Sequence, residues 1–445
     1  MALSTRAATA AATSTPSTSD TTSATPGGHG RLTVAQGAAL SVGAVLGTGV
    51  ITLPALAAEV AGPASLVAWA ALVLLSIPLA ATFAALGARF PDTGGVSTYV
   101  RRAFGDRAAG AVGWCFYFAV PVGAPPASMM AGSYVADVVG GGRATTLTVA
   151  AVLILGTGAM NAAGLRLSGR VQLALATTLA LLMVVTISVS LPRGDRAHLT
   201  PFAPEGWGAV GTAAAVLVWG FAGWEAVAPL SGEYRNPRRD VPRAAGIAVT
   251  VVGVLYLGLA ATSVLVLGPA TGTSKAPLSD LLAVAVGDGA RVVTAVAAVM
   301  LTLGAMNAYF AGGSRLGAAL ARDGALPAVL AKGSAAGEVP RRSLGLLTLG
   351  AGLSLLVTGV LDLGLTPLML LATGCFTLVY VMGTGAALRL LPRLSLGWWT
   401  AATAFVATLG LLVVTGVHTL WALGIVGASL VHQARRRAPG TSGAR

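Results

Sequence analysis

The feature that most constrains this chain is a succession of twelve apolar runs, each long enough to cross a bilayer. A helix needs about 20 apolar residues to span roughly 30 Å of hydrocarbon. Such runs occupy 34–61, 64–88, 107–139, 144–164, 170–191, 208–233, 243–267, 288–317, 343–360, 364–390, 396–415 and 417–433. Only 10% of the 445 residues are charged, against about 25% in a soluble domain. A water-soluble globule of this length lacks the polar surface it would need. The expected fold is therefore an all-α polytopic membrane protein, its last two runs divided by one turn near Gly416 and His418.

Charge placement tests that map. In a soluble chain a formal net charge of +13 would suggest a nucleic-acid partner. Here the cations flank the apolar runs, where they set orientation. With the N-terminus inside the cell, all but Arg143, Arg193, Arg196, Lys275 and Arg291 of the 28 Lys and Arg face the cytoplasm. A wrong count of crossings would scramble this bias, so an even number with both termini inside is expected, and no nucleic-acid partner.

Residues 1–30 are rich in Ser, Thr and Ala and lack an apolar signal-peptide core. They read as a disordered cytoplasmic tail. The transporter domain is expected over 31–434, and a second tail over 435–445. Cys115 and Cys375 lie in separate apolar runs and make no disulfide framework. The four histidines show no metal-ligand spacing, and no catalytic motif is present. Neither an enzyme, a cofactor nor a metal site is expected.

Two runs carry interruptions at their centres. In 34–61, Gly47, Thr48 and Gly49 are followed by Pro54. In 208–233, Gly220, Phe221, Ala222 and Gly223 are followed by Pro229. Glycine weakens a helix interior and proline removes a backbone donor, so both places favour unwinding. Unwound backbone in lipid leaves polar groups that a ligand can satisfy. Half-helix N-termini suit an anionic group, and freed carbonyls suit a cation. A single glycine pair would read as a helix-packing seam. Two matched breaks five crossings apart, on helices running in opposite directions, read as an inverted repeat with a site between them. The repeats would be 34–191 and 208–390, with helices 11 and 12 appended at 396–433.

The stretches GTGVITLPA, PDTGGVSTYVRRAFG (91–105), WGFAGWEAVAPLSGEYRNPRRDVPRA (219–244) and ARDGALP (321–327) together resemble the amino acid–polyamine–organocation (APC) transporter superfamily. The PVGAPPA run at 121–127 and GGVSTYV are most similar to its branch of methionine and branched-chain amino acid exporters. The resemblance implies a LeuT-like 5+5 inverted-repeat fold with twelve transmembrane helices. It also implies roles by matching position. Amides of Gly47, Thr48 and Gly49 would meet the substrate carboxylate. Carbonyls around Trp219, Phe221, Ala222 and Gly223 would take the ammonium group. Trp219 would be a gating aromatic and Tyr309 a second aromatic at the substrate, and Ala124, with Val120 and Ala127, would line the pocket. Each aromatic also reads as plain core or lipid-facing filler.

Glu225 is the sharpest single residue. A carboxylate at membrane depth costs at least about 2.5–3.5 kcal/mol and usually faces a cavity or a partner. With no basic residue in these helices to pair with it, Glu225 reads as a proton-carrying coupling or gating group; the plainer reading is a hydrogen-bonded brace for the break. Segment 5 has no lysine, a residue that some proton-coupled relatives place there. No second charge lies near the breaks, and Met129, Met130 and Met306 offer either soft lining or packing. Pro121, Pro125 and Pro126 are expected to kink or unwind segment 3. The expected function is secondary active export of neutral apolar amino acids (methionine, leucine, isoleucine, valine), with the small-molecule amino acid, protons and the bilayer as partners and the cell membrane as location. The alternatives are an importer or exchanger of the same superfamily, and, with less support, an amino-acid sensor.

Overall fold

A computed structural model describes residues 32–90, 95–165, 169–226, 231–332 and 338–437. Among them the regular elements are helices, with one isolated bridge pairing Leu32 and Tyr234. In order they are α1 (Val34–Val45), α2 (Leu53–Ala61), α3 (Ser65–Arg89), α4 (Gly95–Phe104), α5 (Asp106–Val139), α6 (Gly142–Ala162), α7 (Gly169–Ser190), α8 (Gly208–Phe221), α9 (Pro237–Leu267), α10 (Pro277–Val286), α11 (Gly289–Arg322), α12 (Arg341–Val360), α13 (Leu365–Leu390), α14 (Leu396–Val414) and α15 (Thr419–Arg437).

Nine helices among the described residues are long and apolar enough to cross a membrane. They correspond to the runs other than the two interrupted ones and the last. The chain is thus a multi-pass membrane protein. Helices 34–61 and 208–233 are each divided, as their glycines suggested. The last helix continues through Arg437, so Arg435 and Arg436 close a helix and do not begin a tail. The expected tail over 1–30, the PDTG start of the 91–105 motif, Arg166 and Pro229 fall outside the described residues.

Two helices lie where loops were expected. Both α4 and α10 are 10 residues long, too short to register as spans. Of the two expectations for the proline stretch, unwinding does not occur: α5 is a continuous helix through Pro121, Pro125 and Pro126. Residues 121–131 are all buried, and α5 packs on α4, α6, α11, α12, α13 and α15. The Ser128 hydroxyl adds a bond to the Ala124 carbonyl (2.8 Å) within the proline stretch. Neighbouring helices and hydroxyl side chains are what let proline persist in a membrane helix.

This central helix is crossed closely by α6. A Cβ on Gly132 would fall 2.5 Å from the Thr146 carbonyl oxygen, so only glycine permits that approach. A second group forms around α3, which packs on α8, α9 and α14.

Candidate functional site

The first interruption begins after Val45. Leu46 turns (φ −68°, ψ 69°), and the Gly47 N–H donates to the Val45 carbonyl (2.6 Å), closing a three-residue turn. A 3₁₀ turn over Thr48–Ile51 follows, and α2 restarts at Leu53 with Pro54 in its first turn. Pro54 therefore opens the second half-helix, where its missing N–H costs nothing.

The second interruption follows Phe221. Ala222 is extended (ψ 137°), Gly223 adopts φ +128°, and a 3₁₀ turn spans Trp224–Ala226. The Trp224 indole N–H donates to the Ser76 hydroxyl (3.1 Å), fixing this turn to α3.

Three tyrosine hydroxyls from intact helices meet the opened backbone. Tyr256 of α9 lies 2.9 Å from the Val45 carbonyl and 2.8 Å from the Gly220 carbonyl, one from each break. A hydroxyl has a single proton, so it donates to one carbonyl at a time. Tyr134 of α5 donates to the Ile51 carbonyl (2.6 Å) and accepts from the Leu278 N–H (3.2 Å). Tyr380 of α13 donates to the Glu225 carboxylate (2.6 Å) and accepts from the Gly223 N–H (3.1 Å). That N–H also reaches Glu225 Oε2 at 3.0 Å. The protein thus meets with its own hydroxyls backbone groups that the breaks leave open, at Val45, Gly220, Ile51 and Gly223.

A cavity of about 560 Å³ adjoins both breaks, within the usual range for small-molecule sites. Its wall includes Gly47, Gly49, Trp219, Ala222, Gly223, Glu225, Ala124 and Tyr309 among the expected site residues, and also Val120, Ala127 and Met306. Phe221 is absent from it, as are Met129 and Met130, and the side chain of Thr48 falls outside what the structure describes. The Phe221 ring is held away from the cavity, 5.9 Å from Trp69 and 5.1 Å from Tyr256. Both methionines are buried in the core.

The wall also contains residues not singled out from sequence: Gln172 of α7, Ser97 of α4, Phe116 and Phe376. Gln172 had a legible signal, as an amide within an otherwise apolar run. The three tyrosines had a weaker one, since a tyrosine hydroxyl at membrane depth needs a partner.

Among the described residues Glu225 is the only charged side chain of the wall. The lining draws on α1 and on the starts of α4 and α7 but on no residue of α2. The cavity therefore extends from the breaks toward the end of the bundle where α1 begins. In its wall the Trp219 indole lies against the first break and α5. A Cβ on Gly49 would fall 2.4 Å from Trp219 Cδ1, and one on Gly123 would fall 3.1 Å from its Cη2. The ring is seated between two glycines, on the first break and on α5.

Comparison with known proteins gives a family match. A model of amino acid permeases matches residues 32–433. The chain is 34% identical over 376 residues to the uncharacterized amino acid permease YecA of Bacillus subtilis, covering 84% of this chain and 89% of that protein. It is 34% identical over 373 residues to the L-methionine/branched-chain amino acid exporter YjeH of Escherichia coli, covering 81% and 86%. Identity to the branched-chain amino acid permease BcaP of Bacillus subtilis is 25% over 313 residues, covering 66% and 67%. These relatives are permeases and transporters, not enzymes.

Proposed function

The chain belongs to the amino acid permease family of the APC superfamily, and on that premise we propose that it exports neutral apolar amino acids. In this reading methionine, leucine, isoleucine and valine cross the cell membrane by proton-coupled alternating access, through twelve helices with both termini in the cytoplasm. The observation that carries the reading is the cavity wall. Where two interrupted helices meet, it offers one carboxylate, one amide and otherwise mostly small or apolar side chains.

An amino acid needs two polar anchors and a compartment for its side chain. We assign the amides of Gly47, Thr48 and Gly49 to the carboxylate, Gly47 exchanging its bond to the Val45 carbonyl for one to the ligand, and the carbonyls of Trp219, Phe221 and Ala222 to the ammonium group. Phe221 takes part through its main chain alone, since its ring packs on Trp69 and Tyr256. Gly223 makes the close approach of the breaks possible. Ala124, Val120, Ala127 and Met306 offer apolar surface to the side chain. A glutamate substrate would bury an unpaired charge there, as would a lysine whenever Glu225 is protonated, at a cost of several kcal/mol. Trp219 acts as a gate, and Tyr309 is a second aromatic at the substrate.

Glu225 is assigned to proton coupling. Its carboxylate lies in the cavity wall and is bonded to the amide of Gly223, so loading a proton changes the hydrogen bonds that hold the second break. Export is preferred over import because the relative named as an exporter matches most of the chain. The repeats at 34–191 and 208–390 are part of the same proposal.

Counterflow in proteoliposomes tests the substrate assignment. Vesicles loaded with unlabelled methionine should accumulate labelled methionine, leucine, isoleucine and valine, and should ignore lysine and glutamate. Accumulation of a charged amino acid in preference to these would overturn the assignment.

A further inference from the structure

Helix α4 joins two environments. At its start, Gly95, Val96 and Ser97 form part of the cavity wall. Two turns later it ends in Arg101, Arg102 and the exposed Phe104. Around that end the arginines are stacked on rings. The guanidinium carbons of Arg89 and Arg102 lie 5.7 and 5.1 Å from the centroid of the Phe90 ring. That of Arg389, at the end of α13, lies 4.6 Å from the Phe104 ring, and its Nη1 donates to the Ala103 carbonyl (3.0 Å).

These cations differ in how they are neutralised. Arg101 is paired with Asp106 (3.3 Å) and Asp323 (3.0 Å). Arg89 and Arg389 have no carboxylate partner among the described residues. Next to them, the turn from α13 to α14 exposes Leu394 (73%), Leu396 (83%) and Trp399 (54%). Apolar side chains and a tryptophan so exposed mark the boundary between acyl chains and headgroups. Arg389 and Arg393 therefore stand at the depth of lipid phosphates.

We infer that the corner formed by the ends of α3, α4 and α13 binds the phosphate of an anionic phospholipid in the cytoplasmic leaflet, and that this lipid positions the cavity wall through α4. Topology requires arginines near the membrane but not guanidinia stacked on rings with no carboxylate beside them among the described residues, as at Arg89 and Arg389. Stacking orients the planar donor fork and leaves donors over beyond the one Arg389 gives to Ala103, which suits a phosphate. The link to the cavity is covalent and short, because one helix of 10 residues carries both the lining residues and the stacked end.

The purified chain, reconstituted in phosphatidylcholine with or without phosphatidylglycerol, provides the test. Native mass spectrometry reads retained lipid, and counterflow reads transport. The inference depends on the transporter reading only for the second readout. Wild-type protein should retain phosphatidylglycerol in preference to phosphatidylcholine and transport faster in its presence. Each of Arg89→Gln and Arg389→Gln should weaken retention by about fivefold, and the double variant should lose the stimulation. Wild-type retention in the double variant would overturn the inference. So would a wild-type protein with no preference between the lipids, which decides the matter even if the variant fails to fold. Stimulation by soluble glycerol phosphate in phosphatidylcholine vesicles would point to a free phosphate and also overturn it. Lipid retention that depends on the arginines, without any amino acid transport, would leave this site standing and remove the proposed function.

Discussion

Gly223 packs directly on the main chain of Ala44: a Cβ on the glycine would fall 2.6 Å from the Ala44 carbonyl oxygen. The two interruptions are thus a single joint in which backbone touches backbone. Its φ of +128° further excludes most side chains, at about 1–3 kcal/mol. Gly223→Ala should therefore lower thermal stability by at least that amount and abolish counterflow. Purification of a Gly223→Ala protein with wild-type melting temperature and transport would show that the contact is dispensable.

Tyr256 joins the same breaks from the side. Replacing it with Phe keeps the ring against Trp69 and Phe221 but removes the one hydroxyl shared by the Val45 and Gly220 carbonyls. A buried acceptor left without its donor costs about 1–3 kcal/mol. Tyr256→Phe should melt earlier by a corresponding shift and transport more slowly, as read by a thermal unfolding assay and counterflow on one preparation.

How much of this was visible beforehand depended on what each residue's role required. The glycines and prolines announced the breaks because their backbone chemistry is local. Glu225 stood out because its cost at membrane depth does not depend on its neighbours. The tyrosines did not, since Tyr134, Tyr256 and Tyr380 acquire their roles only when a distant carbonyl or carboxylate arrives within hydrogen-bond reach. Phe221 and Ala222 are adjacent, yet only Ala222 lines the cavity, because the rotation of a helix about its axis is set by packing. The α5 prolines suggested an opening that burial on many sides suppresses. Helices α4 and α10 are too short to register as apolar runs.

The shape of the compartment predicts a selectivity change. Ala124 is a small residue of the wall, on the helix that carries Gly123 against Trp219. Ala124→Leu should reduce leucine and methionine transport more than valine transport. Each methylene displaced is worth about 1–3 kcal/mol. Competition curves against labelled valine would report the change; an unaltered order of preference would remove Ala124 from the compartment.

Away from the cavity, Arg291 bonds Asp137 (2.8 Å), Asp280 (2.9 Å) and Asp288 (3.1 Å), while Ser279 donates to Asp137 (2.9 Å). This network ties α10 to α5 and α11. Arg291, Asp137 and Asp280 are 29%, 25% and 30% exposed, so solvent screens them in part. Arg291→Gln should cost about 1–2 kcal/mol, and high salt should reproduce part of that loss in the wild type. An unchanged melting temperature in both experiments would show the network to be energetically silent.

The central claim is that an amino acid and a proton are exchanged through the joint of the two breaks, with Glu225 carrying the proton. Its most direct test is labelled leucine movement in proteoliposomes under an imposed pH gradient, comparing wild type with Glu225→Gln. The account predicts that the gradient drives leucine uphill, against the flow of protons, in the wild type. In Glu225→Gln the gradient should have no effect while counterflow persists. Gradient-driven leucine accumulation of wild-type size in Glu225→Gln would contradict it.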